Sequence, residues 1–342
     1  MDVRYFLGAN SASGFFSHYD QLLPEKRLLR IIKGGAGCGK STLMKKVAAR
    51  AEQLGLRVER ILCSSDPDAL DGVAIPEVGY ALVDGTAPHV VEPSLCGCRE
   101  AYLDLGTGYD LGRLPACEHI LRELQAANQA CYPRATACLR AAAALDPLLE
   151  GSGLLTAQLA GSLCEKEIPD RGAPGGKRTV FLSGYTPDGR RTCWETVAAL
   201  ASRVYVLQDT PAAVTKFLRT VSRIAAARGW DCLIGDDPLL PGERWEHLLI
   251  PGLNLAFVTS SDQNPWPGPE GIRLGSPAAD TPACAIRSAL FREAAGHLRR
   301  AREYHDLLEA ACAPYVDFTA ADRAGLDCCA ELEILFDRRR AG

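Results

Sequence analysis

Apolar and polar positions along this chain follow two periods. Leu28-Leu29-Arg30-Ile31-Ile32-Lys33 is a short β-rich run suited to a buried strand. Past a glycine-rich turn, Leu43, Met44, Val47, Ala48, Ala51 and Leu54 recur at spacings of three and four. Lys45, Lys46, Arg50 and Glu52 face the other way, so the pattern predicts an amphipathic helix, closed by Gly55 as its C-terminal cap. Arg57 to Cys63 reads as a second strand. Gly79-Tyr80-Ala81-Leu82-Val83-Asp84-Gly85 reads as a third, with a carboxylate emerging at its C-terminal edge. A helical tract rich in Ala, Leu and Arg runs from about Ala116 to Leu149. A second covers Cys284 to Ala313, where Leu290, Phe291, Ala294, Leu298, Ala301, Tyr304 and Leu308 form one stripe.

The pattern occurs twice. YFLGANSASG (5–14) resembles VFLSGYTPDG (180–189), with Phe6 matching Phe181 and Gly14 matching Gly189. Val47 then matches Val221, Gly55 matches Gly229, Ile75-Pro76 matches Ile250-Pro251, and Leu82-Val83 matches Phe257-Val258. Phe217, Leu218, Val221 and Ala225 repeat the apolar helix face. The chain therefore reads as two copies of one α/β unit. The first copy spans 1–170 with a helical insertion at about 116–149, and the second spans 178–342 with C-terminal helices. A polar Pro/Gly linker, Asp170-Arg171-Gly172-Ala173-Pro174-Gly175-Gly176-Lys177, joins them at 171–177. Because Gly34 to Thr42, between that first strand and helix, fits G-x-x-x-x-G-K-[ST], the expected fold class is α/β, a P-loop NTPase-type three-layer sandwich with a mainly parallel sheet, duplicated, each copy with appended helices.

The candidate chemistry lies in the first copy. Gly34-Gly35-Ala36-Gly37-Cys38-Gly39-Lys40-Ser41-Thr42 fits G-x-x-x-x-G-K-[ST], the Walker A pattern, between a strand and a helix. Glycines let several backbone N–H groups point at one phosphate, and the helix N-terminus adds partial positive charge. Lys40 would reach the β- and γ-phosphates, and the Ser41 hydroxyl would ligate Mg²⁺. Asp84 is the matching Walker B carboxylate, a second Mg²⁺ ligand. The stretch Ser64 to Gly72 is expected to be a loop at the same edge. It offers Asp66, Asp68 and Asp71; Asp66, nearest the strand end, is the first choice to orient a water or an acceptor hydroxyl, although a cap or turn built from Asp and Ser explains the stretch equally well. Thr86 or His89 could sense the γ-phosphate, against buried or capping roles. Arg134 or Arg140 could reach it from a helical lid, against packing or solvated roles. In the second copy Lys40 corresponds to Val214, Gly34 to Gln208, Gly37 to Pro211, Gly39 to Ala213 and Asp84 to Thr259, so no nucleotide is expected there.

Composition narrows this little further. The 342 residues carry a formal charge of −4, which gives no global basis for nucleic-acid or anionic-membrane binding. No eighteen-residue apolar run exists, and MDVRYFLGANSASG has no basic leader, so a cytoplasmic protein with no membrane span is expected. The 14 cysteines then read as reduced thiols. Cys96-Gly97-Cys98 and Cys328-Cys329 lack the spacing of a zinc site. His305 and Glu309 stand one turn apart, but as an ordinary helix pair, because no third ligand is visible.

YFLGANSASGF (5–15), IIKGGAGCGKSTLMKK (31–46), CSSDPDALDGVAIPE (63–77) and LVDGTAPHVVEP (82–93) resemble a family of bacterial P-loop ATPases built of two tandem P-loop units. LLIPGLNLAFV (248–258) and HDLLEAACAPYVDF (305–318) extend the likeness into the second copy. The resemblance implies ATP binding and hydrolysis, with Gly34 to Thr42 as the nucleotide loop and Asp84 as the metal carboxylate. Members of that family can carry two intact glycine loops, whereas here the second reads QDTPAAVTK (208–216).

The expected function is an ATP-binding, Mg²⁺-dependent ATPase working through the N-terminal site, with a protein or small-molecule partner. A kinase acting on a small acceptor is one alternative. The other is a nucleotide-dependent binding protein with little turnover, since Gly85, and not a glutamate, follows Asp84.

Overall fold

In the first copy, β1 (Asp2–Tyr5) is followed by a hairpin, β2 (Gly8–Ser11) and β3 (Gly14–Ser17). Then come β4 (Leu28–Lys33), α1 (Lys40–Gln53), β5 (Val58–Leu62), β6 (Leu70–Ile75), β7 (Tyr80–Asp84) and β8 (Glu100–Asp104). Helices α2 (Glu118–Ala143) and α3 (Ala157–Glu167) close it. The computed structural model describes residues 2–22, 28–261, 264–268, 271–277 and 281–341. Six strands pair in the order β1-β5-β6-β7-β4-β8. The sheet is mostly parallel, but β6 runs antiparallel to both neighbours. Residues 70–72, expected in a loop, belong to this strand. Asp71 and Gly72 interrupt its apolar signature, yet every residue from Leu70 to Ile75 is buried between β5 and β7.

The second copy repeats the strands and the main helices in the same order, with a short helix added after its hairpin. It runs β9 (Lys177–Val180), β10 (Ser183–Thr186), β11 (Gly189–Thr192), α4 (Trp194–Leu200), β12 (Arg203–Gln208) and α5 (Pro211–Ala227). It continues with β13 (Cys232–Asp236), β14 (Trp245–Ile250), β15 (Leu255–Thr259), β16 (Ile272–Gly275), α6 (Pro282–Cys312) and α7 (Thr319–Ala341). Its sheet order, β9-β13-β14-β15-β12-β16, matches the first position for position. Small irregularities recur too. A register shift at Ile61/Leu62 has its counterpart at Gly235/Asp236, and left-handed Gly79 (φ 68°) has its counterpart in Asn254 (φ 51°). The protein is thus α/β with two six-stranded mixed sheets.

The two compact units differ from the sequential halves expected at 1–170 and 178–342. The first unit takes residues 1–8, 19–133 and 297–342; the second takes 9–18 and 134–296. The trailing helices are exchanged, so α7 packs on α1 in the first unit and α3 packs on α5 in the second. The expected linker is pinned within the second unit. Arg171 and Gly175 donate backbone N–H groups to the carbonyls of Arg228 (2.9 Å) and Ala226 (2.8 Å), and the Arg171 guanidinium lies over the Trp230 ring.

Each core forms where the amphipathic helix meets its sheet. In the first unit Leu43, Met44, Val47, Ala48 and Ala51 of α1 are buried against β5 and β6. On the α7 side, Ala324, Gly325, Cys328 and Leu332 are the buried positions, mostly small enough for close helix approach. Glu331 of α7 accepts from Tyr80 Oη at 2.9 Å and pairs with Arg30. In the second unit Val214, Phe217, Leu218 and Val221 of α5 pack with Tyr205 and Phe257, whose rings stack 5.2 Å apart. Each large apolar side chain so buried contributes about 1.5–3 kcal/mol. Among the described residues no helix is long and apolar enough to cross a membrane.

Candidate active site in the first unit

Strands β4 and β7 are parallel neighbours, and Asp84 is level with Ile32. Their C-terminal ends therefore open at one edge, the place where ligands meet parallel sheets. Six residues, 34–39, connect β4 to α1. Gly37 (φ 72°) and Gly39 (φ 90°) take left-handed conformations that a side chain would strain. Gly39 is the N-cap of α1 and provides no side-chain cap, so no side chain of the cap residue competes for the amides of the first turn.

Lys40 and Asp84 are brought together, with Nζ 3.7 Å from Oδ2. The Lys40 ammonium also donates to the carbonyls of Gly34 (2.9 Å) and Gly35 (2.8 Å) of its own loop. Asp84 is aimed by Thr86, which donates to Oδ1 from its backbone N–H (2.8 Å) and from its hydroxyl (2.6 Å). The Ser41 hydroxyl, on the second residue of α1, accepts from Leu70 N at 3.0 Å. Cys38 is buried, and burial pushes its thiol up against the opposing pull of the nearby Lys40 charge. Thr42 is exposed on the first turn.

Asp66 is differently engaged. Its carboxylate lies 2.9 Å from Arg302 Nη2 and accepts from Asp68 N, while Asp68 is exposed. Asp71 and His89 are buried side by side, His89 Nε2 lying 3.2 Å from Asp71 Oδ2. Arg134 and Arg140 belong to the second unit, where Arg140 Nε donates to Ala12 O at 3.1 Å.

The C-terminal segment supplies residues that sequence spacing did not connect with the loop. Glu309 Oε1 accepts from Gly37 N at 3.1 Å, and Tyr109 Oη donates to Ala36 O at 2.8 Å. Phe318 and Ala321 stand beside Gly39. Only the one-turn pairing of Glu309 with His305 was visible, and it gave no hint of a partner 272 residues away.

The corresponding edge of the second unit is built otherwise. Only Asp209 and Thr210 separate β12 from α5, so the equivalent of the glycine loop is largely wound into helix. Thr210 caps α5 by accepting from Ala213 N, and Pro211 follows. Asp209 places a carboxylate where the first unit has a glycine, and accepts from Thr210 N and Ser152 Oγ at 2.8 Å each. Thr259, in the place of Asp84, donates its hydroxyl to the carbonyl of Glu246. Glu246 pairs with Arg190, and burial pushes its carboxyl up to about 7.

Comparison with protein-family models, with curated proteins and with solved structures gave no match.

Proposed function

We propose that the chain binds a nucleoside triphosphate, ATP with Mg²⁺, at Gly34–Thr42 of the first unit and hydrolyses it there. The observation that carries this reading is the start of α1, free of a side-chain cap and preceded by left-handed glycines, with Lys40 only 3.7 Å from Asp84 at the edge of two adjacent parallel strands. The donor set fits a triphosphate: backbone amides and one ammonium for phosphate oxygens, one hydroxyl and one carboxylate for a hard cation. Mg²⁺, when bound, would neutralise charge developing on the transferred phosphoryl group. Lys40 would exchange its loop carbonyls for phosphate oxygens. Ser41 and Asp84 would hold the cation, and Thr86 keeps the carboxylate oriented. The capped helix of the second unit and the Asp209 carboxylate beside it support a single nucleotide per chain.

A second reading, nucleotide-dependent binding with slow turnover, draws on Asp66. The carboxylate expected to orient water is engaged by Arg302, and Gly85 follows Asp84. Incubation with ATP·Mg²⁺ separates the two: steady phosphate release supports hydrolysis, and tight binding without release supports the second. Phosphate appearing on an added metabolite would instead indicate a kinase. Lys40→Ala should abolish tight binding; retained affinity would remove the loop from the proposal.

A further inference from the structure

Three donor atoms from separate stretches of the first unit converge beneath the candidate edge. Cys63 follows the end of β5, Asp71 lies within β6, and His89 follows β7. Cys63 Sγ, an Asp71 carboxylate oxygen and a His89 ring nitrogen all lie within 4.8 Å of one another. Asp71 and His89 are buried, at 5% and 8% exposure, and Cys63 is half-buried. We propose that Cys63, Asp71 and His89 form a site for a borderline divalent cation of the zinc type, distinct from the Mg²⁺ expected at Ser41 and Asp84.

The donor chemistry selects the metal class. A thiolate with an imidazole and one carboxylate suits Zn²⁺ or Co²⁺, whereas Mg²⁺ takes oxygen ligands and avoids sulfur. Bonds of about 2.0–2.3 Å in a tetrahedral array set donors about 3–4 Å apart. The 3.2 Å between His89 Nε2 and Asp71 Oδ2 already falls in that range, and the sulfur needs only a small inward shift. Charge balances as well. Binding M²⁺ releases the Cys63 thiol proton to solvent, and the thiolate and carboxylate together neutralise the cation.

The geometry is set by the sheet. Antiparallel β6 lies between β5 and β7, which is what brings Asp71 between the residues that follow those two strands. The Tyr19 ring lies against His89 with centroids 5.2 Å apart, a buried neighbour suited to orienting the imidazole. Three protein ligands leave the fourth tetrahedral position to water or to a substrate oxygen, the arrangement of reactive rather than purely structural zinc sites. The inference stands apart from nucleotide binding, because none of the three residues belongs to the glycine loop.

The test is a Co²⁺ titration of the full chain, stripped with chelator and kept reduced, in the absence of nucleotide. The wild-type chain should bind one Co²⁺, with a thiolate-to-cobalt charge-transfer band and the intense visible bands of four-coordinate cobalt. Zn²⁺ should bleach both, and excess Mg²⁺ should leave them. Cys63→Ser should lose the charge-transfer band, and His89→Gln should weaken binding at least tenfold. A Cys96→Ser/Cys98→Ser double variant, altered only at exposed thiols, should keep the full spectrum. Absence of these bands in the wild-type chain overturns the proposal without any variant needing to fold. So does a band that survives Cys63→Ser or disappears with Cys96 and Cys98.

Discussion

The carboxylate of Glu309 accepts a hydrogen bond from the backbone N–H of Gly37 at 3.1 Å. That amide is one of those a phosphate would use at the proposed site, and Glu309 brings a negative charge to the same place. Any triphosphate must displace it. Glu309→Ala is therefore expected to tighten binding of a non-hydrolysable ATP analogue by roughly tenfold, the equivalent of about 1.4 kcal/mol for one charge-assisted bond no longer competed for. Isothermal titration against the wild-type chain measures it. Unchanged or weaker affinity would show that Glu309 does not compete with the ligand.

Val214 stands in register with Lys40 but is 1% exposed, packed with Phe217 and Phe257 in the core of the second unit. Val214→Lys restores the residue type of the first copy without restoring a site. An unpaired ammonium in that core is expected to cost several kcal/mol. Urea denaturation should show the loss, and nucleotide stoichiometry should remain one per chain. A second bound nucleotide would contradict the account of this half.

Thr210 holds the N-terminus of α5 by accepting from Ala213 N. Thr210→Ala should destabilise the second unit by about 1 kcal/mol, the usual worth of a cap, and leave nucleotide affinity unaltered. Chemical denaturation and a binding titration on the same sample check both halves of the expectation. A fall in affinity would mean that the second unit takes part in binding.

His247 is fully buried, its Nδ1 accepts from Thr259 N at 3.2 Å, and its Nε2 lies 3.2 Å from Ser183 Oγ. Burial holds its pKa down at about 3, from 6.5 when unfolded. The folded value is the lower one, so the contribution is complete above the unfolded pKa. It is lost as pH falls from about 6.5 towards about 3, because the unfolded ring takes up a proton that the native ring refuses. The slope from this group is at most about 1.4 kcal/mol per pH unit. Gln can make both hydrogen bonds without titrating, so His247→Gln should flatten the acid side of stability measured by urea denaturation. An unchanged slope would place the acid sensitivity elsewhere.

The glycine loop, its strand and its helix were legible in residues 28–55, because their rules are local. A period near 3.6, two glycines needed for left-handed turns and a lysine at a fixed offset all lie within one short window. The duplication was legible for the same reason, since matching residues recur at nearly constant offset. Strand β6 was not, because Asp71 and Gly72 interrupt its apolar run. Their burial makes sense only once β5 and β7 lie on either side.

The sequence alone determined where the glycine-rich loop and its lysine lie, and that the second copy has no such loop, because backbone freedom and side-chain charge belong to each residue. The tertiary structure decided which trailing helix serves which sheet, that Glu309 closes on Gly37, and that Cys63, Asp71 and His89 share one space. The first two are encounters between segments far apart along the chain, and the third needs β5, β6 and β7 laid side by side. They depend on strand order and on exchanged helices, and neither leaves a periodic mark in the residues themselves.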